Sequence, residues 1–442
     1  RTECAATWNT SLGCQALQNL GAGVQNTIIG ALAGDALTAG SYNTALGYRA
    51  LSAEDDHGKN VAIGTLALAD LNAGADAYNI AIGHEAGVSV STGIRNTLIG
   101  GLTGDALTTG SYNVAVGYEA LSTEDGDGRN VAIGYQALTT QDAGADTYNV
   151  AVGFYAGQLL TTGAYNTALG GQAMGTGVTT GDKNTAIGYN AGLNITDGGN
   201  NVLVGSEAGD AITGGDRNVA VGHNALSSED TGSRSTAVGY NALSTQNYGS
   251  NNYNVAVGYA AGTSVASGVQ NTLIGSLAGD AITDGDYNTV LGYGALGAET
   301  TGGYNVAIGQ SALSGLNAAA DAYNTVIGAL TATAVTTGDF NTIMGSAAAG
   351  SLTTGARNVA IGYEALKDED ATGRVVAIGY GALANQNTPA NSYNVAIGYH
   401  ASTLSVLAAE NTIVGSFAGD AITSASNVVL MGVHAGGALE LG

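Results

Sequence analysis

The chain has 442 residues, of which 45% are hydrophobic and only 10% are charged, and its formal net charge is −24. The hydrophobic fraction argues against a disordered chain, and 71 glycines with a single proline do not follow the every-third-residue pattern of collagen. No basic run is visible among the 11 Lys and Arg residues, and no stretch of 18 apolar residues occurs. We therefore expect no nucleic-acid partner and no membrane insertion.

Residues 1–8 precede the repeats that fill the rest of the chain, and they are predicted to form an N-terminal cap or joint. Both cysteines, Cys4 and Cys14, lie at this end of the chain. In an oxidising extracellular setting they would form a disulfide that closes the first coil. Two free thiols in a small apolar end are the alternative, and the sequence is equally compatible with either.

From residue 9 onward, a glycine closes the same short phrase at a nearly constant interval. Gly13, Gly30, Gly47 and Gly64 are 17 residues apart, and the series of 25 such glycines runs to Gly432. A fixed period of this length is typical of a solenoid, in which each coil contacts its neighbours along the chain. We therefore predict an all-β fold, a single parallel β-solenoid (β-roll) of about 25 coils over residues 9–442.

Each coil is numbered here from the residue four places before its glycine. Position 1 is Asn in 22 coils, position 2 is Thr, Val or Ile in all 25, and position 4 is aliphatic or Met in all 25. These residues predict a short strand, and the glycine at position 5 permits a bend. We expect the asparagines to stack as a ladder, each amide bonding a turn or its neighbour. The repeat residues are exemplified by Asn26, Gly30, Asn43, Gly47, Asn60, Gly64, Asn113, Gly117, Asn130 and Gly134.

A second short strand is predicted over positions 6–9, and a polar turn follows it. Equivalent strands of successive coils would stack in parallel register at ~4.8 Å per coil, which gives a rod of roughly 120 Å. No segment shows the apolar period of a helix over the 11 or more residues that such an assignment requires.

The prediction about assembly depends on the residues at position 3. Positions 2 and 4 share one face of the strand, and position 3 occupies the other. Position 3 is also apolar nearly everywhere, as in Ile28, Leu98 and Leu203. A strand that is apolar on both faces is buried on both, and a 17-residue coil looks too thin to bury both. We therefore expect position 3 to meet another chain in a homo-oligomer, most economically a parallel homotrimer. A monomer with an apolar stripe is the alternative.

Coils group in fours and give super-repeats of 70 residues. The super-repeats begin at Asn26, Asn96, Asn201, Asn271 and Asn341. Position 3 of the first coil is large, and these residues are expected to pack together in a core between chains.

One loop of the super-repeat is acidic, and the acidic loops lie at 54–56, 124–125, 229–230 and 368–370. We interpret them as solvated charged faces. Weak calcium binding there is the less favoured alternative, because their spacing matches no EF-hand loop.

The tyrosines are also patterned along the coils. Ten of the 22 precede the repeat asparagine, and ten follow the repeat glycine. Such columns suit packing ladders and, as the less favoured alternative, stacking on sugar rings.

The five histidines fall at unrelated coil positions, so we expect no metal or catalytic cluster, no cofactor and no enzyme activity.

The phrases at 60–64, Asn-Val-Ala-Ile-Gly, and at 184–191, Asn-Thr-Ala-Ile-Gly-Tyr-Asn-Ala, resemble the head repeats of trimeric autotransporter adhesins. They look equally similar to the repeat shafts of phage tail fibres and related bacterial surface fibres. The resemblance covers essentially the whole chain, from about residue 9 to residue 432. It implies a left-handed parallel β-roll, a trimer, and a binding or spacer role outside the cell.

The sequence therefore predicts a non-enzymatic extracellular fibre, at a cell surface or on a virion, that presents repeated loops for multivalent attachment. Its partners would be further copies of the chain, in a homotrimeric rod, and a host surface receptor or glycan. The alternative is a filament subunit that polymerises end to end through exposed coil ends. A minor alternative is an ice-binding solenoid, because position 2 offers a β-branched column.

Overall fold

The structure is a computed structural model that describes residues 8–126, 128–371, 373–388 and 390–437. The described residues form 25 strands of three residues, each covering positions 2–4 of one coil. This is the predicted all-β parallel β-solenoid, with 25 turns and a period of mostly 17 residues. Within these ranges, no helix is long and apolar enough to cross a membrane. The chain divides into two compact units, residues 1–218 and 219–442.

In the first unit, each strand pairs in parallel with its neighbours along the chain, and equivalent coil positions lie opposite each other. Thr97 is paired with Val114, and Leu98 with Ala115. The strands are β1 (Thr10–Leu12), β2 (Thr27–Ile29), β3 (Thr44–Leu46), β4 (Val61–Ile63), β5 (Ile80–Ile82), β6 (Thr97–Ile99), β7 (Val114–Val116), β8 (Val131–Ile133), β9 (Val150–Val152), β10 (Thr167–Leu169), β11 (Thr185–Ile187) and β12 (Val202–Val204).

The second unit has the same parallel pairing and the same register, as between Val219 and Thr236. Its strands are β13 (Val219–Val221), β14 (Thr236–Val238), β15 (Val255–Val257), β16 (Thr272–Ile274), β17 (Thr289–Leu291), β18 (Val306–Ile308), β19 (Thr325–Ile327), β20 (Thr342–Met344), β21 (Val359–Ile361), β22 (Val376–Ile378), β23 (Val395–Ile397), β24 (Thr412–Val414) and β25 (Val429–Met431).

The predicted N-terminal cap falls mostly outside the described residues, which begin at Trp8. The Trp8 side chain is exposed. Cys14 is also exposed, whereas Cys4 lies outside the described residues. Both the cap at residues 1–8 and the disulfide between Cys4 and Cys14 therefore stay predictions.

The glycine at position 5 brings successive coils into close contact. Gly100 has a φ of +143°, a backbone conformation that other residues rarely adopt. A Cβ at this position would lie 2.6 Å from the carbonyl carbon of Gly117 in the next coil and still nearer to its carbonyl oxygen. No side chain fits there, so glycine is required both by the backbone conformation and by the space available.

The repeat asparagines are buried and form a ladder along each unit. The side-chain Oδ1 of Asn96 accepts a hydrogen bond from the backbone N–H of Asn113 at 2.9 Å. Its Nδ2 donates to the carbonyl of Gly110, also at 2.9 Å. The same bond to the next coil recurs at Asn26, Asn43, Asn60, Asn113 and Asn130. Asn96 thereby satisfies one N–H and one carbonyl that would otherwise be buried without a partner, whereas the buried Nδ2 of Asn130 donates to no group of the described residues.

The second strand predicted over positions 6–9 is wrong. Residues 101–106 form turns in which Leu102 and Gly104 have φ values of +54° and +56°. The backbone N–H of Leu102 bonds the carbonyl of His84 at 2.9 Å, and that of Gly104 bonds the carbonyl of Ala120 at 3.0 Å. The segment therefore hydrogen-bonds the coils on both sides without an extended backbone, because left-handed residues turn the peptide groups toward both neighbours.

The prediction that position 3 meets another chain is also wrong. Leu98 and Leu203 are fully buried inside the single chain, whereas positions 2 and 4 point outward and are partly exposed. The turn segment folds over the strand and places Ala120 and Leu121 in the same interior, so one coil is thick enough to bury this face. The outward face of the strand is therefore the one formed by positions 2 and 4.

The 70-residue super-repeat is a packing scheme for that interior rather than for an inter-chain core. Where position 3 is leucine, position 9 is glycine, as with Leu98 and Gly104. Where position 3 is alanine, position 9 is often leucine, as with Ala115 and Leu121. A Cβ on Gly104 would lie 3.0 Å from Cδ2 of Leu98, so the large residue uses the space that the glycine leaves.

We expect Gly100→Ala to lower the free energy of unfolding by about 2–5 kcal/mol, because the new methyl group combines a left-handed backbone with overpacking. Urea unfolding followed by circular dichroism measures the change. The matched control is Gly101→Ala, where the nearest atom to the added Cβ is Cδ2 of Tyr118 at 3.5 Å and φ is not positive. An equal loss of stability in both variants would contradict the role given to the repeat glycine.

We expect Gly104→Leu to cost about 1–3 kcal/mol of stability by overpacking against Leu98. Combining it with Leu98→Ala recreates the alanine–leucine arrangement of the next coil, whose Leu121 adopts a φ of +54°. The double variant should therefore be more stable than the sum of the single changes by at least about 1 kcal/mol. Urea unfolding of the three variants measures this coupling, and simple additivity would refute the packing scheme.

Candidate functional site

The outward side chains of positions 2 and 4 form an apolar face along each unit. In the first unit, Ile99, Ile133 and Leu169 are 36%, 37% and 44% exposed. In the second unit, Ile274 and Leu291 are exposed to a similar extent. With ~4.8 Å between strands, the twelve strands of the first unit align these side chains in two columns of roughly 50 Å. Position 4 is aliphatic in all twelve of these coils, whereas position 2 is threonine in six of them, so the face is apolar along one column and mixed along the other.

An aromatic column borders one end of the strands, at position 6. Its members include Tyr118, Tyr135 and Phe154, whose successive ring centroids lie 5.7 and 5.5 Å apart with nearly parallel planes. Tyr363 and Tyr380 stack in the same way in the second unit. The rings cover one another's faces, which favours a packing ladder over stacking on sugar rings.

A second column lies at the other end of the strands, at the residue before the asparagine, here called position 0. Eight of the chain's 11 Lys and Arg residues occupy this position, together with ten of its tyrosines. The basic members are Lys59, Arg95, Arg129, Lys183, Arg217, Arg234, Arg357 and Arg374. They form no basic run, because at least 16 other residues separate each from the next; aligning the coils at position 0 is what makes them visible.

Position 0 has a left-handed backbone in every coil, as in Arg95 and Tyr112 with φ values of +58° and +65°. Glycine adopts this conformation freely, and asparagine more easily than most residues, whereas for other residues it costs about 1–3 kcal/mol. Yet no coil has glycine there, and only two have asparagine, Asn200 and Asn427. The turn segment has the same conformation at residues such as Leu102 and Leu121, so left-handed residues other than glycine are a general feature of these coils.

Five of the eight cations contact the tyrosine of the following coil, namely Lys59, Arg95, Arg129, Arg234 and Arg374, whereas Arg357 lies over Phe340 of the preceding coil. The Arg95 guanidinium lies 5.3 Å from the ring centroid of Tyr112. That of Arg234 lies 5.5 Å from the Tyr253 ring, and its Nη1 donates to the Tyr253 hydroxyl at 3.0 Å. No carboxylate of the described residues forms an ion pair with Arg95 or Arg234. These arginines therefore keep free N–H donors beside a phenol hydroxyl.

Two other cations of the column carry an additional carboxylate. Lys59 Nζ lies 2.6 Å from Oδ2 of Asp76 and 2.9 Å from the hydroxyl of Tyr78. Arg129 pairs with Asp146 and also lies over the ring of Tyr148. Column members thus differ in how much of their charge is already compensated within the chain.

The first glutamate of each acidic loop is buried, which corrects the interpretation of these loops as solvated faces. Glu229 is fully buried. Its Oε1 accepts the backbone N–H of Gly232 at 2.7 Å, and its Oε2 accepts Nε2 of Gln246 and Nδ2 of Asn252, each at 2.7 Å. Glu299, which the acidic pattern did not single out, is buried in the same role and accepts three backbone N–H groups of its loop. These glutamates hold the loop conformation.

Two of the acidic loops bring three metal-ligand atoms within 4.8 Å of one another. The groups are Glu54, Asp55 and His57, and Glu124, Asp125 and Asp142. His57 therefore does lie beside acidic groups, contrary to the expectation from histidine spacing. His84 and His223 also share one coil position, the one after the glycine. Weak calcium binding in these loops stays a hypothesis.

Burial raises the pKa of the Glu54 and Glu229 carboxyl groups above its usual range. The same cause raises the pKa of Asp105, Asp210 and Asp280, the aspartates that follow a glycine at position 9. Hydrogen bonds to the carboxylates act in the opposite direction but are outweighed by desolvation.

No protein-family model matches the sequence, and no curated protein matches it. The likeness to adhesin heads and tail-fibre shafts thus stays an expectation. What the structure shows is the coarser statement, a parallel β-solenoid of 25 turns with columns of like side chains at fixed positions.

We expect the free energy of unfolding to fall as the pH rises from about 4.5 toward 7 at constant ionic strength. A carboxyl whose pKa is raised in the folded state contributes stability below its unfolded pKa, 4.5 for Glu229, and loses it as the pH rises through the folded pKa. Urea unfolding at a series of pH values measures this slope. Glu229→Gln should make it shallower, whereas Asp230→Asn, at an exposed neighbour, is the control. An unchanged slope in Glu229→Gln would contradict the assignment.

Proposed function

We propose that this chain is a non-enzymatic structural and adhesive protein of an extracellular fibre, at a cell surface or on a virion. The observation that carries the proposal is the outward apolar face formed by positions 2 and 4. Within each unit, this face runs along every strand, in a chain whose net charge of −24 otherwise favours solubility. A soluble monomer rarely keeps such a face open to water.

Further copies of the same chain are the partner that fits this face best. Its columns repeat at the spacing of parallel strands, so two identical copies can align coil against coil over the whole length of the face. A closed ring of copies leaves no apolar face exposed, and three is the most economical number for a rod. The resemblance of the repeat phrase to trimeric adhesin heads supports a left-handed homotrimer.

Attachment would use the side chains that such an assembly leaves outside. The acidic loops and the position-0 column recur along each unit, so each weak contact with a host surface receptor or glycan is repeated many times. Repeated weak contacts add up to high avidity when the scaffold holds them at fixed spacing. This multivalence, rather than a single deep cleft, is the mechanism that we propose.

The minor alternative of ice binding has less support. A flat ice-binding face needs regular rows of threonine, whereas the outward face has Thr, Val and Ile mixed at position 2. Position 4 beside it is aliphatic or Met throughout, as at Ile99, Leu169 and Met344. These columns resemble an apolar contact surface more than a patterned array of hydroxyl groups.

We expect the double variant Ile133→Glu, Leu169→Glu to lose its oligomeric state, because it places charges within the apolar face. Light scattering coupled to size-exclusion chromatography measures the particle mass, and circular dichroism checks the fold. The control is Val178→Glu, at a loop residue that is 57% exposed and lies off this face. A mass that stays the same in the double variant would refute assembly through this face, and continuous filaments would favour end-to-end polymerisation.

A further inference from the structure

We propose that the position-0 column binds a linear acidic polysaccharide through its cation–tyrosine pairs. The inference rests on the proposed attachment function and deepens it by naming the binding residues and the ligand class. The ligand has one carboxylate or sulfate group for about every two sugar rings, and it lies along the coils, beside the ends of the strands.

The first observation is the concentration of positive charge. Eleven cations spread evenly over the 17 positions of a coil would place fewer than one at each position, whereas position 0 holds eight. In a chain with a net charge of −24, this column is the place where a polyanion can find several cations in line.

The second observation is the chemistry of each pair. Arg95 with Tyr112 and Arg234 with Tyr253 place guanidinium N–H donors beside a phenol hydroxyl. Arg95 is exposed and Arg234 is partly exposed. A guanidinium binds a carboxylate or sulfate through paired hydrogen bonds, and the neighbouring hydroxyl can bond a sugar hydroxyl. The aromatic faces are covered by stacking in this column too, as between Tyr148 and Tyr165, so recognition uses polar groups at the ring edges.

The third observation is the spacing. Lys59, Arg95 and Arg129 lie in alternate coils, which places them ~10 Å apart along the stack, whereas Lys183 follows three coils after Arg129. Two pyranose rings of an extended chain cover a distance similar to that between alternate coils. Asp76 and Asp146 already pair with Lys59 and Arg129, so a ligand group at these two cations competes with a carboxylate of the chain. Double-stranded DNA carries one charge per ~1.7 Å of its axis, a far denser array that an acidic chain with sparse cations would repel. The column therefore fits a sparsely charged polysaccharide better than a nucleic acid.

The experiment measures binding of the full chain to fluorescent hyaluronan fragments, which carry a carboxylate on every second sugar. Fluorescence anisotropy is recorded at about 50 and 200 mM salt, the range over which charge-driven binding weakens strongly. Neutral dextran and oligo-deoxythymidylate are the comparison ligands. We expect saturable binding of hyaluronan that weakens with salt, and none of dextran.

The test variant is Arg95→Gln, Arg234→Gln, and the matched control is Arg49→Gln, Lys367→Gln, which removes the same charge outside the column. Loss of two charge-assisted contacts should weaken hyaluronan binding at least about tenfold, whereas the control should bind as the parent does. Urea unfolding of both variants shows whether the coil is intact. Arg95→Lys, Arg234→Lys should recover only part of the binding, because lysine restores the charge but not the paired hydrogen bonds of a guanidinium.

Equal weakening in the test and control variants, or no hyaluronan binding by the folded parent chain, would overturn the proposal. Preferential binding of oligo-deoxythymidylate would overturn it in favour of a nucleic-acid ligand. The particle mass, measured in the same samples, separates this proposal from the proposed function. Assembly without polysaccharide binding overturns the inference alone, and binding by a monomer overturns the proposed assembly alone.

Discussion

The close approach of successive coils at the repeat glycine is the constraint on which the rest of the structure depends. The carbonyl of Gly117 occupies the space that a side chain at Gly100 would need, and this contact recurs at nearly every coil. The buried Asn96 adds a directional bond to the next coil at the same level. A slip of one residue would break both contacts and turn every strand side chain to the other face. Register is therefore fixed separately at each coil.

Because successive coils are held this closely, few side chains fit at the interior positions, whereas the outward positions can hold many different side chains. The volume inside a coil is shared between positions 3 and 9, so Leu98 requires Gly104. The turn segment and position 0 use left-handed residues to close a coil of only 17 residues. The side chains of positions 2 and 4 and of position 0 point away from the interior and do not have to fit into it. The proposed function rests on these side chains.

The period, the strands and the position of the ladder residues could be predicted from the sequence, because each depends on one residue type at one position. The side of the strand that faces inward could not be predicted, since alternation alone does not distinguish position 3 from positions 2 and 4. The turn segment determines which side is buried, because it folds over position 3. Its left-handed residues, such as Leu102, are ordinary apolar residues that suggest a strand. The charge of Glu229 alone suggested a solvated side chain. In the structure it is buried, because the side-chain amides of Gln246 and Asn252 donate hydrogen bonds to its carboxylate. The basic column becomes visible only when coils are aligned at position 0.

The most direct test of this account is a side-chain-resolution structure of the purified full chain by electron cryo-microscopy, with no symmetry imposed. The account predicts Leu98 and Leu203 inside each chain, and Ile133 and Leu169 at the contact between copies. A particle in which position 3 lies at the contact between copies would contradict the account. So would a single-chain particle in which positions 2 and 4 face water.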